Sequence, residues 1–258
     1  MTSFGVSASQ GRAARIAGFA YVFAILYVPV YLLTSGGLTV AGDPAATFAN
    51  VQANPVLFGV GIASTLVMFA SVFVLIAALY ATVEPVNRNL AMLGVVLRLP
   101  EAMFGLVSLV FSMIIFQLAT GEASVAGIGP QQVQPLVQLA ILGGTAAGTF
   151  NLVFMALGSL PFLYLFWIAR YTPRALVGFG MLAYVLALVS GLMSILAPAS
   201  VIAGMEMVMV APVMLFEMVF GLWLAIRSVG VPLAEHPEGR QAIPTGLAER
   251  TAVARTSM

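Results

Sequence analysis

The sequence predicts an all-α fold, a polytopic integral membrane protein built as a bundle of six transmembrane helices. Two observations lead to this prediction. Of the 258 residues, 61% are hydrophobic and only 7% are charged, which is far too little charge for a water-soluble domain. The basic residues are all arginine, and six of them lie beside long apolar runs, at every second junction between the runs. This alternation is typical of the positive-inside rule, by which cytoplasmic loops carry the excess of basic residues. The six flanking residues are Arg12, Arg15, Arg88, Arg170, Arg174 and Arg227.

The apolar runs give the boundaries of the helices, since a membrane-spanning helix needs roughly 20 apolar residues. The spans are predicted at residues 15–33, 55–82, 90–118, 135–169, 173–196 and 200–226. Together they form one transmembrane domain over 12–229. The segments 1–11 and 230–258 are predicted to be a disordered leader and a disordered cytoplasmic tail, because they are polar or broken by proline. The fourth span exceeds a bilayer crossing, so we expect it to tilt, kink or protrude.

The junctions between the spans fix a predicted orientation with both termini in the cytoplasm. Arginine is present at the N-terminus, at 84–88, at 170–174 and from Arg227 onward, and is absent from the junctions at 34–54, 121–134 and 197–200. Asn54 and Pro55 form a favourable helix start, an N-cap followed by proline at the first helical position. Tyr21, Tyr27 and Tyr31 in the first span are interpreted as interfacial anchors. Gly144 and Gly148 have the GxxxG spacing that favours close helix packing, within one bundle or in a dimer.

Charged residues inside the spans are the strongest pointer to a site. Arg98, Glu101, Glu206 and Glu217 each cost about 2.5–3.5 kcal/mol at a helix centre, so a partner or a task is expected for each. Arg98 follows Arg88 by ten residues and Glu217 precedes Arg227 by ten, which places both about 15 Å from the inner surface. We therefore predict an ion pair between Arg98 and Glu217. Glu101 lies one turn beyond Arg98 on the same face and is expected to be neutral, because burial of an unpaired carboxylate disfavours its charge.

Two prolines lie beside these charges and suggest kinks. Pro100 separates Arg98 from Glu101, and Pro212 lies between Glu206 and Glu217. Kinks beside buried charges occur at transporter sites, and kinks also serve packing alone, so a ligand or ion site and a structural salt bridge both remain open. Residues 101–106 and 217–222 share the pattern ExxFGL, which either indicates an inverted repeat or is a chance similarity in apolar sequence.

The inventory of side chains argues against catalysis within the membrane. The single histidine, His236, lies in the tail, the single aspartate, Asp43, lies in an outer junction, and lysine and cysteine do not occur. These counts exclude serine–histidine, serine–lysine and histidine–metal chemistry in the spans. We expect no enzyme, no metal, no cofactor and no nucleic-acid partner. Asn151 is a secondary candidate site residue, and an interhelical hydrogen bond is the favoured interpretation of its side chain.

Three classes of function remain beside the lipid bilayer as partner. The first is a small transporter or ion-coupled permease that uses Arg98, Glu101 and Glu217. The second is a binding or sensor module for a lipid or small molecule, and the third is an accessory protein in which the charges fix helix register. An aqueous cavity reaching Glu101 favours the first class, a lipid-open pocket the second and a packed core the third. The sequence does not determine the oligomeric state or the identity of the ligand, which could be a proton, a lipid or a small molecule.

Several segments resemble one bacterial membrane family, domain of unknown function 4386. The resemblance is carried by RAARIAGFAYVFAI, DPAATFANVQANPVLF, ALYATVEPVNRNLAMLGVVLRLPEA, RYTPRALVGFGMLAYVL and FEMVFGLWLAIR. It extends over most of residues 12–229, and PVNRNLA followed by RLxEA is its most specific part. Pro100 and Gly59 depart from the family pattern. The resemblance implies a six-span protein of the inner membrane, and it implies no reaction because the family has no established activity.

Overall fold

The fold is entirely helical over the part of the chain that the computed structural model describes, residues 6–121, 127–197 and 205–229, with only the backbone described at 130 and 205–207. The predicted all-α class is confirmed. The helices are α1 (Ala8–Leu33), α2 (Ser35–Leu38), α3 (Pro44–Ala53), α4 (Pro55–Val83), α5 (Arg88–Ala119), α6 (Pro130–Ala169), α7 (Arg174–Leu196) and α8 (Met205–Arg227).

Six of these helices are long and apolar enough to cross a membrane: α1, α4, α5, α6, α7 and α8. Large apolar side chains cover their outer surface. Phe19 and Leu139, for example, are 65% and 63% exposed. Such a surface is unfavourable in water and matches the hydrocarbon interior of a bilayer. The chain is therefore a multi-pass membrane protein with six spans, as predicted. The orientation with both termini inside stays a prediction.

The six long helices form a closed ring in chain order. Each packs on its neighbour in sequence, from α1 and α4 through α5, α6 and α7 to α8, and α8 returns to pack on α1. Glycine makes this closure possible. A Cβ atom at Gly18 would lie 2.3 Å from the backbone nitrogen of Ala225 and 2.6 Å from the carbonyl oxygen of Gly221. Only a residue without a side chain allows the two backbones to approach this closely.

The N-terminal end corrects the predicted leader. The helix α1 starts at Ala8, and Ser7 caps it by accepting a hydrogen bond from the Gln10 backbone. The Gln10 side chain is buried and donates to the Thr82 carbonyl and the Tyr171 hydroxyl, both at 3.1 Å. The prediction of disorder is thus wrong from Ser7 onward, because polar side chains at the end of one helix bond to the ends of two others. Residues 1–5 and the predicted tail, 230–258, lie outside the described residues.

The junction at 34–54 contains two short helices that the sequence analysis did not anticipate. Asp43 caps α3 by accepting from the Ala46 backbone at 2.8 Å, and Pro44 takes the first helical position. The predicted helix start at Asn54 and Pro55 is confirmed, although the Asn54 side chain donates to the Asn50 carbonyl and makes no cap bond. Beneath α3, Val51 packs with Phe58 in a small apolar cluster between α3, α4, α5 and α6.

Candidate functional site

The most buried charge in the described chain belongs to Arg98, whose side chain is 1% exposed. Its Nε donates to Glu101 Oε2 at 2.8 Å, and its Nη2 donates to Glu101 Oε1 at 3.0 Å. This two-point contact is the geometry in which a planar guanidinium binds a carboxylate most strongly. Both residues lie on α5, one turn apart. The ion pair is thus formed within a single helix.

The remaining guanidinium nitrogen joins α5 to two other helices. Arg98 Nη1 donates to Ser159 Oγ on α6 at 2.8 Å and approaches the Tyr21 hydroxyl on α1 at 3.5 Å. The Ser159 hydroxyl donates its own hydrogen bond to the Met155 carbonyl at 2.6 Å, so its oxygen is free to accept one from the arginine. Tyr21 is buried and is no interfacial anchor, which corrects that interpretation.

Close contact between α5 and α6 positions this ion pair. A Cβ atom at Gly158 would lie 2.4 Å from Arg98 Cγ and 2.6 Å from the Arg98 backbone nitrogen. Asn151, seven residues earlier on α6, donates its side-chain amide to the Glu101 carbonyl at 2.7 Å. Asn151 therefore makes an interhelical hydrogen bond, as favoured from the sequence. The two contacts hold α6 against α5 on either side of Pro100, which lies inside the continuous helix α5.

The predicted ion pair between Arg98 and Glu217 is wrong. The carboxylate of Glu217 instead accepts a hydrogen bond of 2.6 Å from the Tyr184 hydroxyl on α7, and the ion pairs of the described residues are Arg98–Glu101 and Arg88–Glu84. The reason is geometric. Glu101 occupies the Nε and Nη2 edge of the guanidinium, and Nη1 donates to Ser159 and Tyr21, so the contacts of Arg98 are made without Glu217. Glu217 therefore bonds to Tyr184 and forms no ion pair with Arg98.

These groups make up what we call the central cluster, drawn from five of the six ring helices. Its members are Arg98, Glu101, Tyr21, Ser159, Tyr184 and Glu217. Aromatic rings close around it: Tyr21 meets Phe220 edge to face, and Tyr184 meets Phe216 in the same way. Pro212 lies inside α8 in the same region, and the bends predicted at both prolines stay predictions. The side chain of Glu206 lies outside the described residues.

A separate cavity of about 310 Å³ lies between the C-terminal end of α1, the short helix α2, and α4, α5 and α6. Half of its lining residues carry hydroxyl groups: Tyr31, Ser35, Thr39, Thr65, Ser108, Ser112 and Thr145. Apolar residues such as Leu109 and Ile141 supply most of the remaining wall, and no charged residue is among those that line it. The cavity is partly open to the outside. A small molecule can therefore enter it without any separation of the other helices.

The GxxxG glycines contribute to this cavity. Gly144 lines it and approaches the Cβ of Phe111, since a Cβ atom at Gly144 would lie 3.6 Å away. Gly148 also lines it, and a Cβ atom there would meet nothing within 4 Å. Gly148 faces open space and contacts no other helix of the bundle, so close packing within the bundle is wrong at this position, and packing in a dimer stays a prediction. The neighbouring Gly143 packs on the Phe111 ring and allows α6 to approach α5 beside the cavity.

The cavity and the central cluster occupy different depths. Ser112 follows Arg98 by fourteen residues on α5, a rise of about 21 Å. The two regions come closest on α5, where the lining residue Ser108 follows Glu101 by seven residues, a rise of about 10 Å. On α6, Gly148 precedes Asn151, which bonds to the Glu101 backbone, by three residues. Arg98, Glu101 and Glu217 do not line the cavity. The described residues contain no group of histidine, cysteine or carboxylate side chains that could hold a metal ion.

Comparison with known proteins identifies the family. The model of the family described as Domain of unknown function (DUF4386) matches residues 16–228. This match covers most of the chain, so the protein belongs to that family, as the sequence segments suggested. Neither the comparison with curated proteins nor the comparison with solved structures gives a match.

Proposed function

We propose that this member of the family is a non-enzymatic protein of the bacterial inner membrane that binds a small polar molecule in the hydroxyl-lined cavity. The observation that carries the proposal is the lining itself. Hydroxyl groups in the wall of an opening inside a membrane-spanning bundle keep acceptor lone pairs that only water or a ligand can meet there. An opening that served only lipid tails would be lined by apolar side chains.

The central cluster is assigned a structural task in this proposal. Its ion pair is almost completely buried, each of its charged groups has a hydrogen-bonding partner, and none of them lines the cavity. A buried ion pair whose groups are hydrogen-bonded within the protein helps to specify how the helices pack, and it is not available to bind a solute. The absence of histidine, lysine and cysteine from the spans supports the non-enzymatic part. The arginine pattern and the family resemblance support the inner-membrane location.

Cavity filling tests the proposal directly. Because a side chain at Gly148 has open space, Gly148→Leu should fold and occupy the cavity. The purified protein in lipid nanodiscs would be dialysed to equilibrium against the polar small molecules extracted from a bacterial culture, and retained compounds measured by mass spectrometry. We expect wild type to concentrate at least one compound and Gly148→Leu to lose that retention.

The matched control is Ala146→Leu, which adds a similar side chain two residues away, at an exposed position outside the cavity lining. It should retain the same compounds as wild type. Identical retention by wild type and Gly148→Leu would reject the binding function and leave an accessory role. Equal loss in Gly148→Leu and Ala146→Leu would trace the effect to the surface of α6 and also reject the cavity.

Transport is a second candidate, and one observation favours it. The inner end of the cavity at Gly148 lies a single turn from Asn151, which bonds to the backbone of Glu101. Opening of that turn would connect the cavity to the buried charges. A compound retained in the dialysis would be tested for uptake into proteoliposomes. Uptake that Glu101→Gln abolishes while binding persists would support transport, and binding without uptake in wild type would reject it.

A further inference from the structure

Most hydroxyl groups of the cavity are not free to donate hydrogen bonds to a ligand. Five of the seven donate their proton to a carbonyl of their own helix turn, and the distances from hydroxyl to carbonyl oxygen run from 2.7 to 3.3 Å. The five donors are Thr39, Thr65, Ser108, Ser112 and Thr145. Such bonds to the preceding turn are the usual arrangement for serine and threonine inside helices.

This arrangement gives the cavity a definite hydrogen-bonding polarity. A hydroxyl group has one proton and two acceptor lone pairs, so a hydroxyl that donates to its own helix presents only lone pairs to its surroundings. Thr65 also bonds to the Tyr27 hydroxyl, which leaves four oxygens, those of Thr39, Ser108, Ser112 and Thr145. The hydroxyls of Tyr31 and Ser35 keep a proton to donate, so the wall offers more acceptors than donors.

A ligand that matches this wall has more donors than acceptors. A primary ammonium group carries three N–H donors and no lone pair. A polyol would bury oxygens that find few donors, and a carboxylate would find still fewer. The Tyr31 and Phe111 rings line the same space, and aromatic faces attract cations. Leu109 and Ile141 offer an apolar surface for a short alkyl chain.

We propose that the cavity selects a small primary ammonium compound, a positively charged nitrogen on a short carbon chain. This inference rests on the proposed function and specifies its ligand class. The positive charge is held by the partial negative charge of the oxygens, as in ion sites built from neutral oxygen ligands. No carboxylate of the chain is needed for recognition, which agrees with the uncharged lining.

Three probes of nearly equal size separate charge from shape: protonated ethanolamine, ethylene glycol and glycolate. Binding to the protein in nanodiscs would be measured by titration calorimetry at neutral pH. Because hydrogen bonds from charged donors are about twice as strong as neutral ones, we expect ethanolamine to bind about tenfold more tightly than ethylene glycol or better, and glycolate not to bind. Equal affinity for the first two, or tighter binding of glycolate, would overturn the proposal.

Variants place the probe in the cavity. Thr145→Val removes one acceptor oxygen and should weaken ethanolamine binding several-fold. Thr149→Val is the matched control, since Thr149 makes the same bond to the preceding turn, to Thr145, and lies outside the lining; it should leave the affinity unchanged. Equal effects of the two valines would overturn the assignment.

Gly148→Leu separates failure of the ligand class from failure of the site. Ethanolamine binding that survives Gly148→Leu occurs elsewhere and contradicts both proposals. If ethylene glycol or glycolate binds at least as tightly as ethanolamine and Gly148→Leu abolishes that binding, the cavity is a binding site and only the ammonium preference is wrong.

Discussion

The central cluster and the cavity are two polar regions inside one apolar bundle. Hydrogen bonds between helices connect the cluster, whereas most hydroxyl groups of the cavity bond within their own helix. In the cluster, Arg98 on α5 donates to Ser159 on α6, and Tyr184 on α7 donates to Glu217 on α8. In the cavity, Ser112 and Thr145 donate to carbonyls of their own helices. Bonds between helices hold the fold together. A side chain that bonds only within its own helix adds little to the stability of the fold, and its oxygen can still accept a hydrogen bond from a solute.

Removing the arginine should break the first region with the largest effect. Arg98→Leu leaves the Glu101 carboxylate buried without its partner, and loss of one member of a buried pair costs about 3–5 kcal/mol of unfolding free energy. The double variant Arg98→Leu/Glu101→Leu should recover part of the loss, because no buried charge remains. Denaturant unfolding in detergent micelles measures both quantities.

The exposed ion pair between the first residue of α5 and the C-cap of α4 is the control. Arg88 and Glu84 contact at 3.4 Å, with side chains 76% and 39% exposed. Arg88→Leu should therefore change stability by under ~1 kcal/mol. Strictly additive losses in the Arg98 and Glu101 variants would contradict an energetic pairing of these two residues.

A methyl group distinguishes the packed region from the open one. At Gly158 a Cβ atom would collide with the Arg98 backbone, and at Gly148 it would meet nothing within 4 Å. Overpacking of this kind costs about 1–3 kcal/mol, so Gly158→Ala should be destabilised by that amount. Gly148→Ala should stay within roughly 0.5 kcal/mol of wild type. Similar values for the two alanines would mean that α5 and α6 are less closely packed at Arg98 than described above.

Cysteine labelling sharpens the same contrast and tests orientation, because the natural chain contains no cysteine. In intact cells, a membrane-impermeant thiol reagent should label Ser112→Cys in the cavity and Gly129→Cys at the predicted outer junction. It should not label Ser159→Cys in the cluster, Val110→Cys on the lipid-facing surface, or Asn87→Cys at the predicted inner junction. Labelling of Asn87→Cys in place of Gly129→Cys would show that the orientation is the reverse of the predicted one. Protection of Ser112→Cys in both intact cells and inverted vesicles would show that water does not reach the cavity.

The sequence was sufficient for the fold because long apolar runs and alternating arginines are strong, local signals. It located Arg98, Glu101 and Glu217 for a similar reason, the cost of burying charge. It failed on their pairing, since partner choice depends on side-chain direction. The sequence does carry a signal for two of the missed partners: Tyr184 follows Arg174 by ten residues and Ser159 precedes Arg170 by eleven, so both share the depth of Arg98.

The cavity could not be predicted from the sequence in the same way. Serine and threonine are unremarkable inside membrane helices, and Gly148 has the spacing of a packing glycine. What opens the space is the relative position of α1, α2, α4, α5 and α6, which packing elsewhere decides. The buried Gln10 escaped prediction because its partners, Thr82 and Tyr171, are distant in sequence.

The finest test of the contrast compares two serines that differ only in region. Ser159 and Ser112 each donate to the carbonyl four residues earlier, at 2.6 and 3.3 Å. Ser159 also accepts from Arg98, whereas Ser112 faces the cavity. An interhelical hydrogen bond in a membrane protein contributes about 1 kcal/mol, so Ser159→Ala should lose roughly that much stability and Ser112→Ala less than about 0.5 kcal/mol. For ethanolamine binding the order should reverse, with Ser112→Ala weakened and Ser159→Ala unchanged. A variant that loses both properties together would show that the cavity and the cluster are one coupled unit, and the division between a structural and a binding region would then be wrong.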